Sequence, residues 1–247
     1  MVKLVIIEIM DRLKPTRLIV NTALFFLCAG LALVAFSARA TVVTWNLNPN
    51  NLNQPVGSSS RIYTVSGYTI TAYGYDNNNG NGTLRQLFYK NAGSADEFGL
   101  GLVNTPNNEL QANEWGTPLQ FIQLNLSSIL SQGLTNGRIE IASVQPGESF
   151  NLYGSNTLGQ LGTRLNSTPY GSNYDLQFVS VPNFGSYNFI SVVAAVGDCL
   201  PAAFQATIAP IPEATSLVPA ALLAIAATVF EARRRRRSPP LHRTGII

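Results

Sequence analysis

From Thr41 to Pro210 apolar and polar positions alternate in short runs separated by Gly, Asn, Pro and Ser, and no stretch keeps a helical period for three turns. A period of two bounded by turn residues predicts half-buried strands. Strands are expected over Arg61–Tyr75, with Tyr68, Ile70 and Ala72 on one face, and over Leu84–Lys90 after the loop Asp76-Asn77-Asn78-Asn79-Gly80-Asn81-Gly82. Leu119–Leu126 alternates with a slip between Phe121 and Ile122, which predicts a bulge. Gly137–Val144, Phe150–Tyr153, Tyr174–Val181 and Phe204–Ile208 follow, and Tyr187–Val196, apolar on both faces, is expected at the centre of a sheet. Asn46–Ser60 reads as a loop or loosely attached arm. Eight or so strands at this spacing predict an all-β, single β-sandwich or jelly-roll-like domain.

The two ends have a different pattern. Lys3, Arg12, Lys14 and Arg17 precede an apolar run, Ala23–Phe36, and Ser37-Ala38-Arg39-Ala40 follows it. A positive flank, a short apolar core and small residues at Ala38 and Ala40 predict a signal peptide over residues 1–40, cut after Ala40. At the other end Leu217–Phe230 is apolar and runs into Arg233, Arg234, Arg235, Arg236 and Arg237. An apolar span closed by arginines predicts a transmembrane segment whose basic end stays cytoplasmic. The exported domain therefore occupies 41–210, the motif, span and arginine cluster 211–237, and a short cytoplasmic tail 238–247.

This division changes the charge reading. The whole chain carries +3, but the exported part holds only Arg61, Arg85, Lys90, Arg138 and Arg164. Against them stand Asp76, Asp96, Glu97, Glu109, Glu114, Glu140, Glu148, Asp175 and Asp198. The basicity belongs to targeting, and nucleic-acid binding loses its electrostatic footprint. Cys28 leaves with the leader, so Cys199 is the one thiol of the exported part. It cannot form an internal disulfide and is expected in the core.

Candidate chemistry is sparse. The single histidine, His242, lies beyond the arginines, so the domain has no Ser-His-Asp triad, no Cys-His dyad and no histidine metal site. Glu97, Glu109 and Glu114 share a loop-rich region, where carboxylates are more often solvated charges than a glycosidase pair. The Asp76–Gly82 loop departs from calcium-loop spacing at Gly80 and reads as a hairpin turn. No catalytic residue, metal or cofactor is expected. Trp45 and Trp115 are candidates for stacking on sugar rings, although strand packing is the commoner use of such side chains.

The C-terminal segment resembles the PEP-CTERM sorting signal of exported proteins from exopolysaccharide-producing Gram-negative bacteria. Pro212 and Glu213 match the first two motif positions, with Ala214 in place of the second proline. Leu217–Phe230 matches the span and Arg233–Arg237 the basic cluster. Glu231 and the extension Ser238–Ile247 depart from the usual form. The runs Gly99-Leu100-Gly101-Leu102, Asn108-Glu109-Leu110 and Tyr153-Gly154-Ser155-Asn156-Thr157-Leu158-Gly159 also resemble domains of that class. The resemblance implies an exosortase-type membrane transpeptidase as partner, transient membrane attachment through the span, and delivery to the cell surface or matrix. A structural or binding role there is expected, with carbohydrate binding to the exopolysaccharide as the alternative and a glycan-active enzyme less favoured.

Overall fold

The computed structural model describes residues 40–78, 81–93, 96–112 and 119–209. Ala40–Ala209 form one compact unit. Its strands are β1 (Thr41–Asn46), β2 (Gln54–Pro55), β3 (Ser60–Val65), β4 (Tyr68–Asn78), β5 (Asn81–Arg85), β6 (Leu87–Asn91), β7 (Phe98–Leu102) and β8 (Leu110–Gln111). There follow β9 (Leu119–Asn125), β10 (Thr135–Ala142), β11 (Ser149–Ser155), β12 (Thr163–Arg164), β13 (Tyr170–Gly171), β14 (Gln177–Ser180), β15 (Phe189–Val196) and β16 (Asp198–Ile208). A one-turn helix α1, Ser127–Ser131, links β9 to β10. The described residues are all-β, and every pairing among them is antiparallel.

One sheet runs β1-β16-β10-β14, with β8 also paired to β16; a larger one runs β12-β11-β15-β9-β4-β3; β2-β6-β7 form a third. The main apolar core takes side chains from all three: Trp45, Ile139 and Phe204; Ile70, Ile122, Leu152 and Val192; Leu87, Leu100 and Leu102. β15, buried on both faces between β11 and β9, is the central strand its composition predicts.

Several expectations are corrected. The Arg61–Tyr75 run is a hairpin, broken at Ser66 and Gly67, which both take positive φ (51° and 83°). Two successive left-handed residues are what a tight type I′ connection requires. Leu84–Lys90 divides at Gln86, so that β5 joins the large sheet and β6 the small one. The register of β9 on β4 runs unbroken from Leu119 to Asn125, with no bulge. Phe121 faces a second cluster, stacked on Tyr75 with ring centroids 4.9 Å apart, so both faces of β9 are buried and strict alternation disappears.

The stretch Asn46–Ser60 is held down and is preceded by a strand that the pattern did not predict. In β1, Val43 and Trp45 point into the core. Leu47 and Asn48 beyond it are buried, and the Asn48 amide donates to Leu52 O and Lys90 O. β16 is longer than the predicted Phe204–Ile208 and carries Pro201 in mid-sheet. The β10–β16 register shifts between Glu140 and Ile141, opposite Pro201, the irregularity by which a sheet accommodates a residue without an N–H.

Candidate functional site

Of the predicted site residues, Ala40 is exposed immediately before β1. Ala38, Pro212, Glu213, Ala214 and Arg233–Arg237 lie outside the described residues, as do Glu114 and Trp115. Trp45 is withdrawn as a sugar-stacking side chain. It is fully buried, its indole N–H donates to Tyr68 O at 3.0 Å, and its ring packs on Phe204. Cys199 is buried and free, as its apolar setting predicts.

The structure brings together a group of charged side chains that sequence spacing had scattered. Glu109, on the short turn between β7 and β8, is only 2% exposed. Its Oε1 accepts the Lys90 ammonium at 3.1 Å, and its Oε2 accepts the Ser143 hydroxyl at 2.9 Å. Lys90 stands at the end of β6 and also donates to Asn107 O at 2.8 Å. Asp198, the first residue of β16, hydrogen-bonds through its carboxyl to Glu109. The Gln111 amide donates to Asp198 Oδ2 at 3.4 Å, and β8 holds Gln111 opposite Asp198 in register.

Burial, and then the hydrogen bond and charge of Glu109, push the Asp198 carboxyl up to about 6. Beside it, burial raises the Glu148 carboxyl, which receives backbone N–H bonds from Gln145 and Asp198 and a carboxyl bond from Asp198. The buried Cys199 thiol is pushed well above its ordinary range by desolvation and by these three acids. Two adjacent acids that hydrogen-bond to one another share a proton. The cluster therefore contains, side by side, a primary amine, a carboxylate that touches it, and a carboxyl group that favours its proton. Among the described residues no three His, Cys, Asp or Glu side chains are arranged to hold a metal.

Two of the runs that carry the resemblance have structural work here. A Cβ on Gly99 would press on the Pro201 carbonyl, and one on Gly101 would overlap the Asn108 carbonyl oxygen, while Leu100 and Leu102 fill the core. The glycines let β7 lie flat against β16 and the Asn108–Glu109 turn, which puts Glu109 over Lys90. The run Tyr153–Gly159 leads off β11 and folds back over the large sheet. There Gln123 accepts from Gly159 N–H (2.8 Å) and donates to Gln160 O (2.9 Å), and Gly82 N–H donates to Gly159 O.

At the end of the unit where β10 begins and β14 ends is an open cleft of about 640 Å³. Leu130, Leu134 and Phe184 supply apolar wall, Thr135 and Ser180 hydroxyls, and Arg138 a guanidinium. Arg138 donates to Phe178 O at 2.7 Å and lies over the Phe178 ring. In the sequence Arg138 stands out only as a charge, because the β10 irregularity and the Val181–Ser186 turn that form the cleft have no signature of their own.

No protein-family model, no curated protein and no solved structure matches this chain.

Proposed function

We propose that the protein is exported, folds as a single β-sandwich or jelly-roll-like domain outside the cytoplasm, and is sorted to the cell surface or matrix by cleavage of its C-terminal segment, where it serves as a structural component. The coincidence of boundaries carries this reading. Among the described residues the first strand begins at Thr41, the residue after Ala40, and the last ends at Ile208, four residues before Pro212. Thr41 and Ile208 are paired neighbours on β1 and β16. The shared core of the two large sheets supports the sandwich arrangement. With its one thiol buried, the domain's durability rests on packing rather than on disulfides.

The Pro212-Glu213 motif, the span and the arginine cluster supply the sorting signal. A carboxylate beside an apolar span is costly to bury and stays at the membrane interface, available to a basic group of the transpeptidase. The arginines hold the far end in the cytoplasm. In a host with an exosortase, the released protein is expected to begin at Thr41 and to lack the arginine tail. Glu213→Gln should leave uncut, membrane-bound protein. Terminal sequencing and the mass of the released form decide it: a wild-type product that keeps its arginines makes the segment a plain anchor.

The cleft supports the second reading, carbohydrate binding, since it combines an aromatic wall, hydroxyls and a guanidinium in one opening. Retention on purified matrix polysaccharide, lost in Arg138→Ala, would favour it over the structural role.

A further inference from the structure

We propose that the Lys90–Glu109–Asp198 cluster forms an intramolecular isopeptide bond, joining Lys90 Nζ to Asp198 Cγ with Glu109 as the proton carrier. Three observations place the reacting groups. Lys90 Nζ contacts Glu109 Oε1 at 3.1 Å with both side chains largely out of water. The Asp198 carboxyl hydrogen-bonds to the same Glu109 side chain, and also to Glu148. The Ser143 hydroxyl and the Gln111 amide pin Glu109 and Asp198 in place. Glu109 thus touches both partners of the condensation, on a turn that is itself fixed by the close approach of Gly101 to Asn108.

The chemistry needs a neutral amine and a protonated carboxyl: burial favours the proton on Asp198, and the Glu109 carboxylate that touches Lys90 Nζ is the base for the ammonium proton. A proton passes from the Lys90 ammonium to the Glu109 carboxylate. The freed lone pair of Nζ attacks Asp198 Cγ, forming the C–N bond. The former carboxyl hydroxyl, protonated by a hydrogen of the attacking nitrogen relayed through Glu109, departs as water when the C–O bond breaks. The products are one amide, one water and a neutral Glu109 in place of the ion pair, so atoms and charge balance and no oxidant or cofactor is required. Asp198 is half-buried at the start of its strand, which leaves the water a way out. Holding both partners against Glu109 in one folded site replaces a bimolecular encounter by an intramolecular one and raises the effective concentration of amine at the carboxyl.

The bond would tie the end of β6 to the start of the last strand and close a covalent loop around most of the sheets. For a domain with no disulfide it is a cross-link that reductant does not break. The inference is independent of the sorting reading, because it depends only on the folded unit.

The test is mass spectrometry of the purified full-length protein, with the folded state confirmed by near-ultraviolet circular dichroism. The wild type is expected to be about 18 Da lighter than its sequence, one water, with Lys90 and Asp198 recovered in one branched peptide. Lys90→Arg keeps the charge but removes the amine nucleophile, and Glu109→Gln keeps the shape but removes the carrier; both should show the full sequence mass. Folded wild type that keeps its full mass after prolonged incubation between pH 5 and pH 8 would overturn the proposal. So would a water loss confined to an unbranched peptide, a branch at Glu109 instead of Asp198, or undiminished cross-linking in Glu109→Gln.

Discussion

At the scale of single residues, position in the packing decides consequence far more than residue type does. Gly101 and Gly171 are both strand glycines, but a Cβ on Gly101 overlaps the Asn108 backbone carbonyl, whereas one on Gly171 meets its nearest neighbour, Asn173 Oδ1, at an ordinary 3.6 Å. A backbone oxygen cannot rotate away as a side chain can, so Gly101→Ala must displace the Asn108–Glu109 turn. Overpacking of this kind costs about 1–3 kcal/mol, and it should also loosen the Lys90–Glu109 contact. Trp45→Ala removes the largest fully buried side chain and leaves Tyr68 O without its donor. About 3–5 kcal/mol is expected for losing so large an aromatic. Val42→Ala, on the same strand but 55% exposed, should stay within about 0.5 kcal/mol of wild type. Urea midpoints at unchanged slope measure all three; equal costs for Trp45→Ala and Val42→Ala would mean that β1 is not seated in the core. The size of this hierarchy is not visible in the sequence, where Trp45 is a candidate ligand platform although strand packing is the commoner use of such side chains.

At the scale of elements, the chain states its strands more clearly than their partners. β15 follows from its apolar β-branched composition, and the second half of β10 from the alternation that puts Ile139 and Ile141 on one face. β9 was misread because a loop about forty residues away covers its outer face, and local alternation cannot register a distant cover. β1 was missed since Val43 and Trp45 give too short a pattern before the polar Asn46–Ser60 stretch, whose order comes from Asn48 and its bonds to Leu52 and Lys90. The β3–β4 turn was hidden for another reason. Ser66 occupies a left-handed position (φ 51°) that serine fills less comfortably than asparagine or glycine. Ser66→Asn should therefore raise stability by about 0.5 kcal/mol. A fall in the thermal midpoint would show that the Ser66 side chain contributes more than the backbone geometry indicates.

At the scale of the whole molecule, the acids set an unusual response to pH. Glu140, Glu148, Asp175 and Asp198 all have carboxyl groups raised above their ordinary values, in each case first by burial. A carboxyl whose folded value lies above its unfolded one binds its proton more tightly in the fold. Its contribution is complete below the unfolded value, near 3.8 for Asp198, and is lost as pH rises through about 6. The domain should accordingly be more stable near pH 4.5 than near pH 7.5, the reverse of a fold held by salt-bridged carboxylates. Asp198 takes part only while its carboxyl is free. Once joined to Lys90 it cannot ionise, and Glu140, Glu148 and Asp175 alone set a shallower slope. Lys90→Arg, which keeps Asp198 free, should thus lose more stability between pH 4.5 and pH 7.5 than the cross-linked wild type. Thermal midpoints of the two proteins across that range measure the difference. A midpoint that rises with pH in Lys90→Arg would contradict the burial of these acids, and parallel slopes in the two proteins would mean that Asp198 titrates in both and carries no amide in either.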